Sequence, residues 1–193
     1  AGIDNTITKN LTSKYTGSIR GFLIAEAVRV ATSVGGGGVV LVKEGPSYAD
    51  FPIYNFDIQN SSGFPAQVDA YADAVRKADG LLIVSPEYNW TIPAGLKNMI
   101  DWLSRYKEVP FKDKPVAIQS VAGGLLGGSR MQYHLRQCLT SVDCFLFGKP
   151  EVIVNMGVSK FDAATGALKD QATADLVKQQ MEAFGKFIAR VKD

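Results

Sequence analysis

Histidine is nearly absent from this chain of 193 residues, which carries His134 alone, and cysteine is almost as scarce, with Cys138 and Cys144. A zinc centre finds too few ligands in that set, and no metal is expected. A serine triad on an α/β scaffold needs a G-x-S-x-G turn after a strand and a histidine near the chain end, and neither is present. His134 falls between Tyr133 and Leu135 in a helical stretch, where a structural or interfacial role outweighs a catalytic one. The two cysteines lie six positions apart, one in an expected helix and one at the strand after it. They read as buried free thiols, not as a disulfide framework. A phosphoacceptor domain would need an acidic pair after the first strand, and Gly17-Ser18 stands there instead.

Neither sign of charge is in excess: 21 Lys and Arg against 19 Asp and Glu leave +2, with no run of like charge to track a nucleic-acid backbone. No apolar run approaches the roughly 18 residues that span a bilayer, so no membrane partner is expected. The opening Ala1-Gly2-Ile3-Asp4 lacks the charged and apolar regions of a secretory leader, which points to a cytoplasmic protein. Hydrophobic residues make up 46% of the chain, enough for a full core in a single domain spanning residues 1–193.

The most organised stretch is Gly80 to Tyr106. Leu81 to Val84 form an apolar run without alternation, which suits a strand buried on both faces of a parallel sheet. Pro86 and Pro93 bracket a loop, Pro93 fits the first helical position, and Leu96, Met99, Ile100 and Leu103 follow at helical spacing. Between strand and helix lies Ser85-Pro86-Glu87-Tyr88-Asn89-Trp90, where open α/β sheets bind ligands.

Around this unit the chain alternates. Asn5 to Thr12 give a weak first strand, Phe22 to Val34 a buried helix ending at Gly35, and Val39 to Val42 a second strand. Gly35 to Gly38 lack a following Lys-Ser/Thr and lead into a strand, so they read as a flexible connection and not a phosphate cradle. Glu44 to Gly63 show no sustained period and are expected to be a long surface loop. A helix from Pro65 buries Val68, Tyr71, Ala72 and Val75. Pro115 to Ser120 form a strand that runs into a glycine-rich loop, Val121 to Arg130, at the same edge as Ser85 to Trp90. Met131, Leu135, Cys138, Leu139 and Val142 then mark a helix, and a last strand starts at Cys144 and continues into Val152 to Val154. Val177, Met181, Phe184, Ile188 and Val191 mark a long closing helix. The pattern argues a three-layer α/β domain, a five-stranded parallel sheet with helices on both faces.

The two loops offer a wide, flat, polar-edged slot whose backbone N–H groups can meet the carbonyl oxygens and ring nitrogens of a heteroaromatic ligand. A flavin has that shape. Ser18 and Arg20, before the first helix, supply a hydroxyl, a fork of donors and a helix N-terminus for a phosphate without metal. FMN then fits from end to end.

The residues also resemble a family. Gly63-Phe64-Pro65, Ser85-Pro86-Glu87-Tyr88-Asn89, Gly95-Leu96-Lys97-Asn98, Ile100-Asp101-Trp102-Leu103-Ser104-Arg105 and Gly127-Gly128 through Arg130 to Gln137 are similar to NADPH-dependent FMN reductases, in particular the chromate and quinone reductase branch. The resemblance runs from about Ile53 to the C-terminus. It implies a flavodoxin-like fold, bound FMN, NADPH or NADH as electron donor, small-molecule acceptors such as quinones, free flavins, azo compounds or chromate, and a homodimer or homotetramer.

On this reading Pro86, Glu87, Tyr88, Asn89 and Trp90 place the ring and stack substrate, Ala122 and Gly124 contribute through the second loop, and Ser18 with Arg20 hold the phosphate. No side chain is assigned as a catalytic acid or base, because the flavin performs the redox chemistry. The family's phosphate loop reads G-S-x-R-x-x-S-x-N, whereas here Gly17-Ser18-Ile19-Arg20 is followed by Gly21-Phe22-Leu23. That shortening keeps two other readings open, a flavodoxin-like electron carrier and a cofactor-free interaction domain. The absence of the acidic charge common in carriers weighs against the first. Subunit contacts are expected from Pro93 to Tyr106 and from Arg130 to Arg136, with Trp102 and Tyr106 as exposed anchors.

Overall fold

The computed structural model describes residues 46–192 and, as backbone, the strands at 6–10 and 41–44. In chain order the elements are β1 (Thr6–Asn10), β2 (Leu41–Glu44), α1 (Phe56–Ser62), α2 (Ala66–Lys77), β3 (Gly80–Ser85), α3 (Ala94–Leu103), β4 (Pro115–Val121), α4 (Ser129–Thr140), β5 (Phe145–Leu146), β6 (Val152–Val154), α5 (Gly157–Lys160) and α6 (Gln171–Lys192). The expected helix Phe22–Val34, the glycine run 35–38, Ser18 and Arg20 lie outside the described residues.

All the strand pairs are parallel, in the order β2-β1-β3-β4-β5, with β6 also on β4. This is the order of flavodoxin-like doubly wound sheets. The polar segment Thr6–Asn10 holds an inner place, pairing Ile7 with Val42 on one side and with Gly80 on the other. The final strand comes in two pieces. β5 pairs with the start of β4 through Pro115 and Val116, and β6 with its end through Gln119 to Val121.

Every residue of β3 and of β4 is buried, as the unbroken apolar run of β3 predicts. Alternate side chains feed two cores. Leu81, Ile83, Val116 and Ile118 pack with α2, α3 and α4, whereas Leu82, Val84, Ala117 and Val121 pack with β6 and with Val177, Met181, Phe184 and Ile188 of α6. Helices therefore cover both faces. The expected stripes are buried in α2 and α3 and, through Met131, Leu135 and Leu139, in α4. Each such side chain contributes about 1.5–3 kcal/mol.

The structure corrects the sequence reading in several places. Glu44–Gly63 is not all loop: α1 occupies Phe56–Ser62, where the Asn55 Oδ1 accepts from the Asp57 and Ile58 N–H groups and the Gly63 N–H closes on the Gln59 carbonyl. No residue of α1 is buried, so the helix has no apolar stripe to show in the sequence; its end caps define it. Pro93 and Pro65 stand at the N-caps of α3 and α2, whose first residues, Ala94 and Ala66, come one residue after the expected starts. The two cysteines are free thiols, only partly covered, and burial pushes the Cys144 thiol up to about 12.

Trp102 is the largest correction. It is 0% exposed, not an interface anchor. Its Nε1 donates to the Pro52 carbonyl at 2.8 Å, and its ring meets Tyr54 and Phe64 edge-on at 5.0 and 6.0 Å. Tyr106 stacks on Phe64 at 3.9 Å and donates to Asp69, and burial, with that hydrogen bond second, raises its hydroxyl well above the usual tyrosine range. α3 has two buried faces because the segment ahead of α2 folds over it. Asn98 adds to the latch, accepting from the Tyr54 N–H at 2.8 Å and donating to the Pro52 carbonyl at 2.9 Å. Trp102→Ala is expected to cost about 3–5 kcal/mol in a denaturant melt. Trp102→Phe, which keeps an apolar ring but loses the donor, should cost only about 1–2 kcal/mol.

Candidate functional site

β3 ends at Ser85 opposite Ser120, one residue before the end of β4, so the loops that follow them leave one edge of the sheet side by side. The first loop turns back on itself. The Tyr88 N–H donates to the Thr91 carbonyl at 3.1 Å and the Thr91 N–H to the Tyr88 carbonyl at 3.0 Å, and the two residues between, Asn89 and Trp90, have φ of 48° and 67°. Positive φ at both central positions is what a type I′ turn needs. Asn tolerates it, but Trp is strained there. Trp90 is nevertheless 67% exposed, and its ring carries the Arg130 guanidinium 4.0 Å from the ring centre.

The second loop is stapled to the segment after β6. The Ala122 N–H donates to the Val154 carbonyl, the Gly157 N–H to the Ala122 carbonyl and the Met156 N–H to the Gly124 carbonyl, all within 3.1 Å. The loop ends on Gly127 and Gly128, with φ of 58° and 90°. A Cβ on Gly127 would lie 2.8 Å from the Asn155 nitrogen, and one on Gly128 2.8 Å from the Ser120 Cβ. Only glycine serves both the conformation and the space.

Glu87 joins the two loops. Gly128, at the N-cap of α4, has no side chain to offer, and one carboxylate oxygen of Glu87 accepts from the Met131 N–H at 3.1 Å instead. A carboxylate at that helix end also meets the positive pole of α4. Its other oxygen lies 3.8 Å from the Arg130 guanidinium. Farther along α4, His134 Nδ1 is 2.8 Å from the Thr91 hydroxyl, a structural link of the kind its position suggested.

Between the loops lies an open recess of about 200 Å³, lined by Glu87, Ala122, Gly124, Leu125, Leu126, Gly127, Gly128 and Arg130. A larger groove of about 430 Å³ lies between α3 and α4, near Lys97 and Cys138. It is remote from both strand-end loops, and the smaller recess is where the fold directs a ligand. Among the described residues, the backbone N–H groups of Asn89, Trp90, Gly123, Gly124 and Leu125 donate to no protein acceptor. A Cβ built on Gly124 meets nothing within 4 Å, so a flat group can approach that backbone closely. A planar ligand edged with acceptors, as FMN is, fits this donor set.

Of the expected site residues, Glu87, Ala122 and Gly124 line the recess itself, and Pro86, Tyr88, Asn89 and Trp90 form the loop beside it. The expectation for Ser18 and Arg20 falls outside the described residues. Leu125, Leu126, Gly127 and Gly128 also line the recess; they fell within the expected second loop, with Gly127-Gly128 among the family-like motifs, but were not assigned to the cofactor, and Arg130, expected at a subunit contact, stands in its wall. The Gly-Gly step was the available sequence signal for this loop.

Fold and loops thus define a doubly wound α/β protein with its ligand crevice at the carboxyl ends of β3 and β4. The sequence profile of NADPH-dependent FMN reductases matches residues 13–159, and the chain belongs to that family. The quinone reductase of Escherichia coli strain K12 is 50% identical over 147 residues, 76% of this chain and 78% of that protein. An NAD(P)H-dependent FMN reductase of Pseudomonas aeruginosa is 41% identical over 141 residues, 73% of this chain and 75% of that protein. The flavoenzyme NAD(P)H:(acceptor) oxidoreductase FerB from Paracoccus denitrificans, 26% identical, superposes with a TM-score of 0.82 over 96% of this chain and 98% of its own.

Removing the link between the loops should be visible in stability. Glu87→Ala is expected to cost about 1–2 kcal/mol in a denaturant melt, while Glu87→Gln, which keeps an acceptor for the Met131 N–H, loses less than half of that.

Proposed function

We propose that this chain is an FMN-dependent NAD(P)H oxidoreductase that reduces quinones and other small acceptors, chromate among them. The observation that carries the reading is the row of backbone donors on two loops at one strand edge, at Asn89, Trp90, Gly123, Gly124 and Leu125, that meet no acceptor among the described residues, in a chain of the FMN reductase family. When bound, FMN supplies the redox chemistry, accepting a hydride from NAD(P)H and passing electrons to the acceptor.

The chain's own residues bind and orient. Asn89, Trp90, Gly123 and Gly124 hold the ring edge by backbone contacts, whereas Ala122, whose N–H and carbonyl are both taken up by the segment around β6, only lines the recess. Pro86 and Glu87 fix the first loop, and Tyr88 and Trp90, both exposed, give planar substrates a surface to stack on. Ser18 and Arg20 take the phosphate. No acid or base is assigned from the protein.

We read residues 1–193 as one cytoplasmic domain whose sheet has five strands, β5 and β6 being two pieces of the fifth. A homodimer or homotetramer completes the proposal. With Trp102 buried, the contact rests on the Arg130–Arg136 stretch and on exposed side chains near the crevice, including Trp90, Leu125, Leu126 and Tyr133. No helix among the described residues is long and apolar enough to cross a membrane.

Purified protein mixed with FMN and desalted should keep bound flavin, bleach when NADPH or NADH is added, and oxidise the donor continuously when benzoquinone is present. Protein that stays colourless, or that holds flavin but passes no electrons from donor to quinone, would overturn the assignment. Light scattering at micromolar concentration should give a mass of two or four chains; a single chain of 20.8 kDa would remove the oligomer.

A further inference from the structure

Behind the second loop two fully buried polar side chains form a directed chain of hydrogen bonds. Gln132 of α4 donates through Nε2 to the Ser120 hydroxyl at 2.9 Å and to the Val152 carbonyl of β6 at 2.8 Å. The Ser120 hydroxyl donates to the Gly127 carbonyl at 2.8 Å. A hydroxyl has one proton; since Oγ accepts from Gln132, that proton is directed to Gly127. The Gly127 N–H in turn reaches back to the Gly124 carbonyl at 3.4 Å, and that same carbonyl accepts from the Met156 N–H. The chain thus runs from the core strand β6, through α4 and the end of β4, into the loop that lines the recess.

Gln132 and a second buried amide, Gln119, each bury an Oε1 without a partner among the described residues, and the direction of their donors tells them apart. Gln132 is 1% exposed, yet its Oε1 has no hydrogen-bond partner among the described residues. A leucine or methionine would avoid that cost, so the amide is there for its donor. Gln119 lies on β4, one residue before Ser120. Its Nε2 donates to Gln180 Oε1 at 2.8 Å, and Gln180 holds the Ile118 and Pro150 carbonyls. That pair ties β4 to α6 and touches neither loop.

We propose that Ser120 and Gln132 are positioning residues that fix the 123–126 loop backbone in the form that receives the flavin ring; this rests on the function proposed above. Neither side chain is placed in contact with FMN. They act through the Gly127 peptide, whose orientation sets the turn from Gly124 onward.

The test uses the full chain and three substitutions: Gln132→Met, Ser120→Ala and, as the control amide, Gln119→Met. Three quantities are read: amide hydrogen exchange of residues 123–125 in the free protein, the FMN dissociation constant, and the midpoint potential of the bound flavin. Gln132→Met and Ser120→Ala should each speed exchange and weaken FMN about tenfold and shift the potential. The double variant should be no more than about twofold worse than either single one, because the two side chains serve one chain of bonds. Gln119→Met should lower the melting temperature and leave the loop exchange, FMN affinity and potential within about twofold of the parent. If all three variants change only the melting temperature, or if the effects of Gln132→Met and Ser120→Ala multiply, the proposal is overturned. A parent protein that binds no FMN would sink the proposed function instead, while the exchange rates would still decide whether the loop is held this way.

Discussion

The parallel pairing of β3 with β4, Leu81 on Val116 through Ser85 on Ser120, is the constraint on which the rest of this structure depends. Both strands are buried on both faces, and each sends alternate side chains into two separate cores. A slip of one residue would exchange those sets and empty both cores of their partners. With the register fixed, Ser85 lies opposite Ser120, and the loops after the two strands have only the space beyond the sheet edge to occupy. The crevice follows from the pairing, before any site residue is considered.

Polar chemistry is concentrated where the apolar layers stop. α4 begins on a glycine with no cap of its own, and Glu87 supplies the missing acceptor from the neighbouring loop. Arg130 answers Glu87 and lies over Trp90, and Trp90 occupies a backbone region that suits glycine. Strain of this type persists where surrounding contacts over-determine it, and it gathers at functional sites. Here a helix end, an ion pair, a cation–π contact and a two-residue turn hold one another in place. Behind them Ser120 and Gln132 connect the second loop to the core.

The aromatic group around Trp102 plays a different part. Tyr54, Phe64, Trp102 and Tyr106 pack ring against ring, and with Asn98 they fasten residues 52–54 across α3. The segment ahead of α2 buries Tyr48 and Phe51 against Tyr71 of α2, whereas α1 buries none of its residues. The segment's position therefore depends on α2 at one end and, at residues 52–54, on α3, the helix that also starts at the crevice.

By itself the sequence determined the parts whose signal is local. The apolar run Leu81 to Val84, the stripe Leu96, Met99, Ile100 and Leu103, the second glycine loop and the P-E-Y-N segment each carry their reading in adjacent residues, because periodicity, propensity and turn chemistry act over a few positions. Those sufficed for the parallel α/β architecture and the Glu87–Trp90 and Ala122–Gly124 loops. Tertiary structure alone decided what depends on partners distant in the chain. Thr6–Asn10 becomes an inner strand because two neighbouring backbones pair with it, not through its composition. Trp102 is a core residue because Pro52, fifty positions earlier, covers it. α1 exists through its caps, and Arg130 stands at the recess because its helix begins beside Glu87. A hydrogen bond or a ring contact across dozens of residues leaves no period in the sequence, so its outcome appears only once the chain has folded back on itself.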